Sequence, residues 1–164
     1  MEKIDYYKKS LWKSPRDNQR ERVYRWGHNL RKELPTLQVD RIQEVVDSLC
    51  GVFEVEAPVV EFSRKRKQIA CYVPVYHKIQ LPLEEEWAHN LEIVIHETSH
   101  AVLRQLMKAN RYSSWIAKEQ SHGPNFVAVN IALLVAATDV RESIYKRSAS
   151  EYGIKVGSIW NLIN

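Results

Sequence analysis

Cysteine is almost missing from this chain: Cys50 and Cys71 are the only two in 164 residues. Neither belongs to a CxxC pair, so a disulfide framework and an all-cysteine zinc site are both excluded, and two reduced, mostly buried thiols are expected. Long apolar runs are missing as well. No stretch approaches the ~20 residues of a membrane-spanning helix, so no membrane partner is expected. The opening residues, MEKIDYYKKSLWKS, lack the apolar core of a secretory signal. A cytoplasmic protein is therefore expected. There is no internal repeat and no low-complexity segment, and the length suits one domain with a short appendage.

What is present is ordinary in amount and uneven in placement. The chain is 45% hydrophobic and 27% charged, with a net charge of +4 and a pI near 9.0. Basic residues crowd the N-terminal part, from Lys3 through Arg16, Arg20, Arg22 and Arg25 to Lys32. A second basic run is Arg64-Lys65-Arg66-Lys67, whose four residues are candidate nucleic-acid contacts. A basic face suits phosphate or an acidic partner, and it suits bulk solvent equally well. Trp12, Tyr24 and Trp26 are either stacking surfaces for single-stranded DNA or core aromatics.

Periodicity predicts an α+β fold. Val23, Trp26 and Leu30 recur at helical spacing before Pro35, and Ser14-Pro15-Arg16-Asp17 can start that helix. Val39, Ile42, Val45, Val46 and Leu49 predict a second helix, stopped by Gly51. Residues 57–62, 69–73 and 75–81 read as strands separated by turn-sized gaps, which predicts a small, mostly antiparallel sheet. A long helix is expected from about Glu84 to Ala109, with Glu84, Glu85 and Glu86 at the positive end of its dipole. After a polar stretch, His122-Gly123-Pro124 opens another helix, because proline is tolerated at the first helical position. The expected organisation is a lead-in over 1–15, one domain over 16–138, and a tail over 139–164 packed on that domain.

Within the long helix lies His96-Glu97-Thr98-Ser99-His100. Positions i and i+4 share a helix face, so both imidazoles can aim at one point. Zinc takes imidazole nitrogen, and a catalytic zinc keeps three protein ligands and a water. Glu97, beside the ligands, can act as general base toward that water. Two histidines do not complete a site. The extended HExxHxxGxxH pattern fails, because Leu103 and Leu106 stand where its glycine and histidine belong. That leaves Glu119 and His122 as candidates, and His122 is preferred on ligand type and on its place before a helix. A lone HExxH occurs by accident, and His28, His77 and His89 read as surface or packing residues. Tyr72, Tyr76 and Tyr112 are candidates for stabilising an oxyanion.

HETSH followed after a spacer by HGPNF resembles the SprT-like zinc metallopeptidases, the group that includes Spartan. The resemblance covers roughly residues 58–135 and is specific at the two histidine motifs. It implies a zincin-like fold, Zn2+ on His96, His100 and His122, Glu97 as catalytic base, and a protein or peptide substrate. It also implies a link to proteins bound to DNA. Many members carry glutamate where this chain has Asn125, and many carry a cysteine zinc ribbon that two cysteines cannot supply. In lacking one, the chain resembles the reduced SprT-like proteins of phages and mobile elements, which would place it in the cytoplasm of a bacterium or of a phage's host. The alternative is a non-catalytic zinc-containing module that binds DNA or protein.

Overall fold

The computed structural model describes residues 16–64, 69–109 and 119–163. The lead-in over 1–15, Lys65, Arg66 and Lys67 of the basic run, and Tyr112 all lie outside them. Among the described residues the fold is α+β, with five helices and a three-stranded mixed sheet. The helices are α1 (Arg20–Arg31), α2 (Ile42–Val52), α3 (Leu91–Ala109), α4 (Pro124–Ala137) and α5 (Glu142–Glu151). A terminal helical turn, Trp160–Ile163, follows. No described helix is long and apolar enough to cross a membrane.

The strands are β1 (Val59–Ser63), β2 (Cys71–Val73) and β3 (Lys78–Pro82), in the order β1-β3-β2. β3 pairs antiparallel with β2 but parallel with β1, so the expectation of a mostly antiparallel sheet is corrected. The reason is where the chain reverses. Pro74 begins a 3-10 turn over Pro74–Tyr76, and His77 adopts a left-handed conformation at φ 45°. Residues assigned to the third strand are thus used in a turn that folds β3 back between its neighbours. Residues 64–77 form the connection from β1 to β3, long enough for the crossover that parallel strands require. Ile79 and Leu81 then face the core fully buried.

Helix boundaries also differ from expectation: α1 begins at Arg20, past the expected start at 14–17, and ends at Arg31. α2 runs through Gly51 to Val52, held by the burial of Ile42, Val46, Leu49 and Cys50. The long helix starts not at Glu84 but at Leu91, after a 3-10 turn over Glu86–His89. Asn90 sets that start. Its Oδ1 accepts from the Glu92 amide at 2.9 Å, while its Nδ2 donates to the carbonyls of Arg31 (3.2 Å) and Leu34 (2.9 Å). One buried side chain therefore caps the N-terminus of α3 and satisfies carbonyls at the end of α1.

α3 is the central element, and Leu91 through Ser99 are buried without a break. α1 lies against it antiparallel: Tyr24 meets His96, and Arg31 meets Glu92. The approach is close at Gly27, where a Cβ would collide with the Glu92 carboxylate. α4 packs on another side, apolar apart from Asn125 and Asn130, with Phe126, Val127, Val129, Ile131, Leu133 and Leu134 buried. The C-terminal part adds Tyr145, Ala149, Ile154 and Leu162 to the same core.

Asn90→Ala is expected to lower stability by about 2–4 kcal/mol, since it removes a cap and leaves two carbonyls without a donor. Asn90→Asp, which keeps the capping acceptor but turns a carboxylate oxygen toward the two carbonyls, should cost at least as much. Urea unfolding measures both, and an Asn90→Ala protein as stable as the wild type would contradict the double-cap account.

Candidate metal centre

His96 and His100 project from one face of α3, and His122 comes from the turn before α4. One nitrogen of each lies within 4.8 Å of the others, and His96 Nε2 is 3.1 Å from His122 Nε2. The ring centroids are 4.9–5.1 Å apart. All three rings pack around Phe126, with centroids 4.4 Å (His100) and 5.0 Å (His96 and His122) from it. Phe126, fully buried, is the floor of the site. It is the last residue of the HGPNF segment, so its position one turn after His122 was readable; its role beneath the rings was not.

Burial keeps these imidazoles neutral. It is the largest influence on each, driving His96 well below the ordinary histidine range and His100 down to about 3. His122 is lowered too, although Asp17 opposes the shift. Neutral imidazoles present lone pairs, which is the form a metal binds. A tetrahedral ion with bonds of 2.0–2.1 Å needs nitrogens about 3.4 Å apart; the His96–His122 pair stands at 3.1 Å and all three nitrogens lie within 4.8 Å of one another. The donor set fits: three buried imidazoles that could hold a metal ion, of the kind that suits zinc, copper, iron or nickel.

Asp17 completes the arrangement. Its Oδ2 lies 2.7 Å from His122 Nδ1, and its Oδ1 accepts from the His122 amide at 3.3 Å. The carboxylate therefore holds the proton on Nδ1 and leaves Nε2 free for a ligand bond. Sequence reasoning saw Asp17 only as part of a helix start. No local signal connects it to a residue 105 positions away.

Glu97 is buried beside the histidines, and its Oε2 accepts from the Tyr72 amide of β2 at 2.7 Å. Burial pushes its carboxyl up to about 8 against the lowering effect of that N–H. A cation in the site would pull it back down. Glu119 does not join the cluster; its Oε2 accepts from Asn125 Nδ2 at 3.2 Å.

The remaining candidates fall elsewhere. The Tyr72 phenol bonds His77 Nδ1 at 2.9 Å, and Tyr76 is exposed on the turn. His89 is a packing residue, with Nε2 3.0 Å from the Pro82 carbonyl, and His28 is exposed. Trp26, only 1% exposed, is core and offers no stacking surface. Tyr24, not nominated for this site, stacks on His96. Arg64 is exposed at the end of β1.

No family model matches this chain, and neither a curated protein nor a solved structure is significantly similar to it.

Asp17→Asn is expected to weaken metal binding 10–100-fold, the usual effect of removing an outer partner of a histidine ligand. Competition against a chelator reads this directly. Unchanged affinity would mean that Asp17 does not set the His122 tautomer.

Proposed function

We propose that the protein is a zinc-dependent metallopeptidase of the SprT-like kind, acting on protein or peptide substrates. The observation that carries the proposal is Glu97. An ion with a purely structural role needs no carboxylate buried beside its ligands, and burying one is costly. Here one is buried and aimed by a backbone N–H.

His96, His100 and His122 would hold the zinc, which when bound would supply a Lewis acid that polarises a carbonyl and acidifies a water. Glu97 takes the proton of the attacking water as the water oxygen bonds to the carbonyl carbon. It then passes that proton to the leaving nitrogen as the C–N bond breaks. The Tyr72 N–H fixes the direction of the carboxylate through Oε2. Among the described residues β2 is an edge strand next to Glu97; its outward Tyr72 N–H is given to Glu97, so an extended substrate would meet this edge through the Tyr72 carbonyl. The resemblance extends the proposal to DNA-associated proteins, with DNA as a partner; exposed Arg16, Arg20 and Arg25 are compatible with that.

Glu97→Gln keeps the size of the side chain and removes its basicity. Hydrolysis of a flexible protein, assayed with and without DNA, should fall by ~100-fold or more at unchanged zinc content. Equal rates would remove Glu97 as the base. A wild type that holds zinc and cleaves nothing under either condition would favour the binding-module reading.

A further inference from the structure

Peptide hydrolysis creates a charge that the residues above do not meet. As the water oxygen bonds to carbon, the π pair of the carbonyl moves onto its oxygen. The Tyr72 phenol is turned to His77, and Tyr76 stands on the outer turn, so neither is aimed at that oxygen.

The first helix supplies a different phenol. The Tyr24 ring stacks on His96 with centroids 5.4 Å apart and planes 22° apart, and it lies 5.0 Å from the His122 ring. It is also 44% exposed. One side of the ring thus covers two of the three histidines, while the rest faces the solvent from which a substrate must arrive. Arg20, one helical turn earlier, places its guanidinium carbon 5.4 Å from the ring centroid. Arg20 also hydrogen-bonds the Tyr24 hydroxyl; a guanidinium can only donate, so the phenol accepts there and keeps its own proton to give. The stripe is built by spacing: Arg20, Tyr24, Gly27 and Arg31 fall at successive turns of α1, Asp17 lies three residues before its start, and Asp17, Tyr24, Gly27 and Arg31 all meet α3 or His122.

We propose that Tyr24 is a catalytic residue whose hydroxyl donates a hydrogen bond to the oxyanion formed at the metal centre. The proposal rests on the peptidase reading. The Tyr24 proton stays on its own oxygen throughout, and the travelling proton is the one carried by Glu97. When the C–N bond breaks, the pair on the oxyanion returns to the C=O bond. A donor aimed at charge that exists only in the transition state raises kcat and leaves ground-state binding alone.

Tyr24→Phe tests this in the full-length zinc protein, because it keeps the ring against His96 and His122 and removes only the hydroxyl. Zinc content should be unchanged, kcat should fall about 100-fold, and KM should move little. A second readout needs no turnover. A peptide phosphonamidate, whose tetrahedral anionic P–O group mimics the oxyanion, should bind Tyr24→Phe more weakly by a similar factor in calorimetry. If Tyr24→Phe equals the wild type in both kcat and phosphonamidate affinity, Tyr24 is a packing wall and the proposal is overturned, with the peptidase reading intact. If the wild type holds zinc but neither cleaves protein nor binds the phosphonamidate, the peptidase reading falls and takes this proposal with it.

Discussion

A helix buried on nearly every side can carry polar side chains only where its neighbours answer each of them. α3 carries six within Leu91–His100: Glu92, His96, Glu97, Thr98, Ser99 and His100. Thr98 and Ser99 donate back to the carbonyls of Val94 and Ile95, and Asn130 of α4 donates to the Ser99 hydroxyl. Arg31 of α1 pairs with Glu92 at 3.1 Å, and β2 presents its Tyr72 amide to Glu97. α1, α4 and β2 thus each supply a specific polar partner as well as apolar area. Asp17 answers one nitrogen of His122, and the inward nitrogens of the three histidines face mainly one another. An ion is the partner that this geometry fits.

The position of α1 matters most to this arrangement, because it carries Tyr24 and Arg31 and follows directly on Asp17. Its other faces are fixed by the C-terminal part of the chain. Gln19 forms a reciprocal pair with the Lys155 backbone, donating to its carbonyl at 3.1 Å and accepting from its amide at 3.0 Å. Arg22 donates to the Gly153 carbonyl at 2.8 Å, and the Trp26 indole donates to the Ser148 hydroxyl at 3.0 Å. Such bonds contribute about 0.5–1.5 kcal/mol each, and together they fix the register of the helix. The C-terminal residues also cross the start of α4, where the Gly157 amide donates to the Pro124 carbonyl at 2.7 Å and a Cβ on Gly157 would meet that carbonyl. The two ends of the described chain therefore brace the turn that presents His122.

How much of this was readable follows from the range of each interaction. The His96–His100 pair is a matter of helical period, and the helix beginning after His122 follows from proline chemistry; both are local. The Val23, Trp26 and Leu30 stripe is local too, and it settles Trp26 as core. Strand direction was not legible, because alternation marks a strand without naming its partner, and the parallel β1–β3 pairing depends on a turn at 74–77 that looked like strand. Asn90 was missed because one of its roles is to bond carbonyls 56 and 59 residues away. Asp17 and Tyr24 were read by residue type, as helix start and stacking surface, since nothing near them in the sequence contains His122 or His96.

The central claim is that three neutral imidazoles, one of them oriented by Asp17, converge on a single ion. X-ray absorption at the zinc edge of the purified, zinc-loaded protein tests it most directly, together with metal content by mass spectrometry. The account predicts one zinc per chain, with three imidazole nitrogens at about 2.0–2.1 Å and one light oxygen ligand. A chain that takes up no zinc, or a spectrum with fewer than three imidazoles or with sulfur bound, would contradict it.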